Sequence, residues 1–173
     1  MALLPHQSSF LIPSLADLAL FCQTLAPFLQ PGDVLALDGP LGAGKTTFTQ
    51  NLLRVLGVQE SVSSPTFVLM NEYASACGPV AHVDLYRLGP ERADSLSHEL
   101  TAMVDEGRSL LLVEWACYGA FLQDLITLQI TIQPIFNDSE TEATDMQDHA
   151  QRRVTLSANR PLTEALRRFE RLP

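Results

Sequence analysis

Gly39-Pro40-Leu41-Gly42-Ala43-Gly44-Lys45-Thr46 fits the pattern G-x-x-x-x-G-K-[ST], and each residue type in it answers a need of a phosphate chain. Glycines let consecutive backbone N–H groups curl around phosphate oxygens, and a helix starting there turns its positive end towards the same anion. Lys45 has the reach to touch β- and γ-phosphates, and the Thr46 hydroxyl suits Mg²⁺. The stretch predicts a nucleotide-binding loop formed by Gly39, Pro40, Leu41, Gly42, Ala43, Gly44, Lys45, Thr46 and Thr47. Lys45 is the only lysine in the chain, although arginine is used freely.

Two acids extend this chemistry. Glu114 closes the apolar run Leu110-Leu111-Leu112-Val113, and the carboxyl end of a buried strand is where an α/β site forms. Mg²⁺ keeps several waters and asks the protein for few oxygens, so Thr46 and Glu114 suffice as metal ligands. A carboxylate in that place can also merely cap the next helix. Asp84 either accepts a hydrogen bond from an attacking water or binds the metal through water. The residues leave both roles open, beside that of a plain hairpin residue. His82 reads as an edge-strand histidine with structural and functional roles in balance. Arg87 can pair with an acid or touch phosphate, and Trp115 is by type a core residue.

A glycine loop alone does not separate an ATPase, a GTPase and a small-molecule kinase. Guanine-specific proteins resemble one another in an N-K-x-D motif, which needs a lysine beyond Lys45, and there is none. A guanine-specific GTPase is therefore not expected. Kinases typically add an arginine-rich lid, whereas six of the ten arginines here follow residue 151. A small-molecule kinase and a nucleotide-dependent docking module stay as alternatives to an ATPase.

These residues must be positioned by strands and helices, and the pattern predicts an α/β fold. It reads as a mainly parallel sheet flanked by helices, with an inserted antiparallel hairpin. Ser9 to Ile12 reads as an edge strand. Ser14 and Asp17 resemble a capping box for a helix carrying Leu15, Leu18, Phe21, Cys22, Leu25 and Leu29 at helical spacing. Pro31-Gly32 turns into the strand Val34–Leu37, and Phe48, Leu52, Leu53 and Leu56 give the helix after the loop an apolar face. Thr66 to Tyr73 and Val80 to Tyr86 read as the hairpin, Glu91 to Asp105 as a helix, and Ser109 to Trp115 as a buried parallel strand. Tyr118 to Leu125 follows as a short helix. Ile126 to Ile132 pairs with Arg153 to Ser157, and Pro161 to Leu172 reads as a final helix. The acidic segment Asn137 to Gln151, without Lys or Arg, reads as a solvated, flexible loop.

Composition bounds the rest. The chain's 173 residues suit a single domain, 1–173, with 46% hydrophobic and 18% charged residues. A net charge of −9 argues against nucleic-acid binding over most of the surface. Cys22, Cys77 and Cys117 form no C-x-x-C pair, so neither a disulfide framework nor a zinc site is suggested. No apolar run reaches membrane-spanning length and no secretory signal is visible, so the expected place is the cytoplasm.

Three further stretches follow the loop in order: Ser63-Ser64-Pro65-Thr66-Phe67, His82-Val83-Asp84-Leu85-Tyr86-Arg87 and Val113-Glu114-Trp115-Ala116. Together with Pro31-Gly32-Asp33-Val34 they resemble the TsaE (YjeE) family of bacterial P-loop proteins over roughly residues 14 to 133. The resemblance implies a Mg-dependent ATPase subunit needed to make threonylcarbamoyladenosine in tRNA. It would work with the TsaD and TsaB proteins and meet tRNA mainly through that complex. By position it makes Lys45 and Thr46 holders of phosphate and Mg²⁺, and Thr66 a switch-type residue near the γ-phosphate. Asp84 matches the family's essential carboxylate, Glu114 the acid associated with the metal, and Trp115 the tryptophan bordering the nucleotide. Lys45, Thr66 and Asp84 are the expected catalytic residues. Two departures concern partner contacts: Leu96-Ser97-His98-Glu99-Leu100 replaces an L-G-x-x-E-Y-like segment, and the Asn137–Gln151 loop is longer than usual.

Overall fold

The first strand, β1 (His6–Ile12), leads through Ser14 into helix α1 (Leu15–Leu25). The Ser14 hydroxyl accepts from the Asp17 N–H at 3.2 Å and donates to its carboxylate, closing the capping box. Strand β2 (Val34–Asp38) is buried along its whole length, as its unbroken apolar run requires. Helix α2 (Lys45–Val55) follows the glycine loop and buries Phe48, Leu52 and Leu53. The structure is a computed structural model and describes residues 5–135 and 151–161 together with Leu166 and Phe169.

The predicted hairpin forms from β3 (Met70–Ser75) and β4 (Gly78–Asp84), which pair antiparallel from Met70–Val83 to Ser75–Gly78. Its first strand starts later than expected. Residues 66–69 form a turn in which the Pro65 carbonyl accepts from the N–H groups of Val68 and Leu69, and Leu69 has φ 70°. The helix expected over Glu91–Asp105 is divided into α3 (Gly89–Arg92), a 3₁₀ turn Ala93–Leu96 and α4 (Ser97–Glu106). Strand β5 (Leu110–Glu114) is buried throughout. Instead of a helix over Tyr118–Leu125 there are two 3₁₀ turns, Ala116–Tyr118 and Ala120–Asp124, separated by an extended Gly119. Strands β6 (Leu128–Ile135) and β7 (Gln151–Ala158) complete the sheet, so Gln151 belongs to a strand and not to the acidic loop. The remainder of that loop and most of the expected final helix lie outside the described residues.

The sheet order is β1-β7-β6-β2-β5-β4-β3. The central four strands run parallel, with β2 between β6 and β5 and with β4 beside β5. β7 and β3 run against the rest. Alternation along β2 feeds two cores. Leu35 and Leu37 pack with α1 and α2, while Val34 and Ala36 pack with Leu100 and Leu122 on the other face. Phe21 anchors the first core, 5.4 Å from the Phe10 ring and 5.2 Å from that of Phe169. Both faces being covered, β2 and β5 end as rigid neighbours, Leu37 beside Glu114.

Candidate nucleotide site

The glycine loop leaves the end of β2 and enters α2, as its sequence demands. Gly39 has φ 144°, and a Cβ there would stand 2.2 Å from the Ile132 carbonyl oxygen, so the loop turns against β6 only with glycine at that point. Lys45 lies along the inside of the turn. Its ammonium donates to the carbonyls of Gly39 at 2.8 Å and Pro40 at 3.0 Å, and sits 3.8 Å from the centre of the Trp115 ring. Burial, opposed by the charges of Glu114, Asp84 and Asp38, lowers its pKa from the ordinary lysine value.

Glu114 ends β5 within hydrogen-bonding reach of α2. Its Oε2 accepts from the Thr46 hydroxyl at 2.9 Å, and its Oε1 from His82 Nε2 at 2.8 Å. A carboxylate opposite fixes the tautomer: Nε2 carries the proton. His82 does not lie at the sheet edge, because β3 covers β4, and its ring is fully buried. Its Nδ1 is a buried atom without a partner among the described residues. Asp84 ends β4 next to Glu114 in register. Its Oδ2 accepts from Thr66 Oγ1 at 2.5 Å and Ser64 Oγ at 3.0 Å, and its Oδ1 from the Tyr86 N–H at 2.9 Å. One carboxylate thereby ties the Ser64–Thr66 turn to the strand end.

Lys45, Thr46, Thr47, Thr66, Asp84, Glu114 and Trp115 line one cavity of about 280 Å³ with Leu41, Gly42 and Gly44. Of the predicted residues, Gly39, Pro40 and Ala43 are not on its wall; the carbonyls of Gly39 and Pro40 accept from Lys45 and that of Ala43 from Arg152. Ser64 and Tyr86 also line it; the sequence offers them only as members of the Ser63–Phe67 and His82–Arg87 stretches, without a role of their own. Both stand two residues from a predicted one, which was the available signal. Trp115 has φ 57° and is flanked by Tyr86 and Tyr118 at ring-centre distances of 4.9 and 5.4 Å. Trp115 is half-buried, joining that aromatic wall to the second core against which it packs. Asp38 went unremarked in the sequence. Its carboxylate accepts from the Cys117 N–H at 3.0 Å and fixes the turn after β5.

The donor set suits a hard cation bound with phosphate. The Thr46 proton is committed to Glu114, which leaves the hydroxyl lone pairs for a metal, and the acids beside it are oxygen donors. Among the described residues no three His, Cys, Asp or Glu side chains form a metal cage of their own. Mg²⁺ on a nucleotide needs none.

The family model for threonylcarbamoyl adenosine biosynthesis protein TsaE matches residues 12–144. The TsaE protein of Bacillus subtilis is 45% identical over 91 residues, covering 53% of this chain and 55% of that protein. Its counterpart in Nostoc is 47% identical over 76 residues, covering 44% and 47%. That of Aquifex aeolicus is 37% identical over 107 residues, covering 61% and 74%. In these alignments the chain spans about half the length of the first two relatives. A crystal structure of Bacillus subtilis YdiB superposes with a TM-score of 0.67 at 29% identity, over 94% of this chain and 95% of that one.

Proposed function

The chain belongs to the TsaE family, and from that we propose that it is the ATP-binding and ATP-hydrolysing subunit for threonylcarbamoyladenosine formation in tRNA. The names of its relatives place them in that biosynthesis. The observation that carries the ATPase part is the convergence of Lys45, Thr46, Thr66, Asp84 and Glu114 on one cavity walled by the glycine loop. Loop amides and Lys45 hold the phosphate chain, and Trp115 with Tyr86 borders the nucleotide. Thr46 and Glu114 hold Mg²⁺, which neutralises charge on the phosphates when bound. Asp84 holds Thr66 and Ser64 at the cavity, where a hydroxyl orients water or phosphate. Little covalent chemistry is required, because phosphoryl transfer to water depends on positioning and charge neutralisation.

TsaB and TsaD are the partners in this reading, and tRNA is met mainly through them. Two of the arginines that make the C-terminal part basic are engaged within the fold. Arg160 grips Asp33 through two hydrogen bonds of 2.6 and 2.8 Å, which raises its already high pKa, and Arg152 donates to the Ala43 carbonyl. No described helix is long and apolar enough to cross a membrane, and we place the protein in the cytoplasm. Reconstitution with TsaB, TsaD and tRNA is the test. Formation of the modified nucleoside is expected to require this chain and ATP, and undiminished formation in its absence would remove the assignment.

The two acids are expected to fail differently. Glu114→Gln keeps an acceptor for buried His82, and should raise the Mg²⁺ concentration needed for nucleotide binding by about 10–100-fold. Asp84→Ala should leave nucleotide affinity near wild type and slow turnover by about 10²–10⁴. Mg²⁺ titrations of binding and single-turnover rates separate them. Two variants identical to the parent in both would leave neither role standing.

A further inference from the structure

We propose that Arg152 is a positioning residue for the phosphate-binding loop, holding the Ala43–Gly44 peptide with its N–H turned towards the bound phosphate. The proposal rests on the nucleotide reading of that loop. Arg152 stands on β7, beyond the segment 12–144 that the family model matches. Its side chain is only 8% exposed, and its Nε donates to the Ala43 carbonyl at 3.2 Å. Gly44 lines the cavity whereas Arg152 does not, so the guanidinium lies behind the loop.

The geometry does the rest. In a trans peptide the carbonyl oxygen and the N–H of the next residue point in opposite directions, and no described peptide is cis. A carbonyl held back towards β7 therefore sends the Gly44 N–H forward. Gly44 also makes room for the guanidinium, since a Cβ there would stand 3.1 Å from Arg152 Nε. A loop with glycines at positive φ on both sides of Ala43 would otherwise be free to flip this peptide. Anchoring it removes that freedom before the ligand arrives, which is the cost preorganisation avoids. Arginine suits the place because it stays charged, so it also polarises the peptide towards an anion.

The test uses the whole chain and MgADP as the probe. In the wild type, the Arg152 Nε–H resonance is expected to be protected from exchange and to shift when MgADP is added. Arg152→Met, which keeps bulk without a donor, is expected to weaken MgADP binding about tenfold and to speed exchange of the Gly44 amide. Arg152→Lys should recover part of the affinity. An Arg152 resonance indifferent to saturating MgADP overturns the proposal. So does a folded Arg152→Met chain that binds MgADP within about twofold of wild type. A wild-type chain that binds no MgADP overturns the nucleotide reading itself, and this inference with it.

Discussion

Lys45→Ala is expected to abolish hydrolysis and to weaken Mg-ATP binding by about 10–100-fold, as the loss of a charge-assisted contact implies. The rate loss should reach at least about 10²–10³, the scale of removing one preorganised charge stabiliser. The neighbourhood makes both effects larger. Lys45 is the one cation among the described residues lining the cavity, which include Asp84 and Glu114; without it those carboxylates would face a polyphosphate with no cation among these residues to offset them. The fold should not suffer. Burial is the largest influence on the Lys45 pKa and lowers it, so its charged form disfavours the folded state. That penalty is present at neutral pH and fades only as pH rises through the folded-state pKa towards 10.5, the unperturbed value. Lys45→Ala is therefore expected to fold, the burial cost it removes offsetting its lost contacts to the Gly39 and Pro40 carbonyls and the Trp115 ring. Trp115 is the only tryptophan and lies under the ammonium, so its emission reports both the substitution and nucleotide titrations. Unchanged affinity and turnover in a folded Lys45→Ala chain would remove the central claim about the site.

The glycine loop was legible because its chemistry is contiguous: one strand, one turn and one helix supply it in order. Glu114 was legible because a polar residue ending a buried apolar run marks a strand's carboxyl end. Contacts between distant segments were not. Arg152 meets Ala43 across 109 residues; period two along β7 places it on the face of Val154 and Leu156, but nothing local says that the glycine loop lies against that face. His82 was misplaced at an edge because a hairpin pattern does not say which of its strands joins the sheet; β4 does, beside β5, and β3 takes the edge. Residues 66–69 imitated the start of a strand, with Phe67 and Leu69 in period two. The hydroxyls of Ser64 and Thr66 and the Pro65 carbonyl fold the segment back on itself and leave Phe67 84% exposed. A tertiary contact, here the tether from Asp84 to Thr66, overrode local propensity.

Hydrolysis by the chain alone is expected to be slow, and to rise by about 10³–10⁵ when TsaB and TsaD are added, the range a supplied arginine contributes in related enzymes. Among the described residues that line the cavity there is no arginine. Arg87, the one arginine within a nucleotide-associated stretch, lies 5.1 Å from the centre of the Phe67 ring, and its carbonyl accepts from Arg92. Arg152 and Arg160 are committed to Ala43 and Asp33. Charge arising on a transferring phosphoryl group therefore meets Lys45 and the loop amides, with no guanidinium from the described residues. A partner can remedy this by inserting a cation. It can also act by covering Phe67 and Val68, which stand 84% and 65% exposed on the turn that carries Thr66. Burying them would fix Thr66 against Asp84 in one arrangement, an ordering step that couples turnover to assembly. The measurement is hydrolysis at saturating Mg-ATP, first alone and then with each partner in turn. Turnover above about 1 s⁻¹ by the isolated chain, within the range of competent enzymes and unaltered by partners, would contradict the expectation. A small molecule that stimulates turnover and leaves phosphorylated would instead favour a kinase, because water would then no longer be the acceptor this site positions.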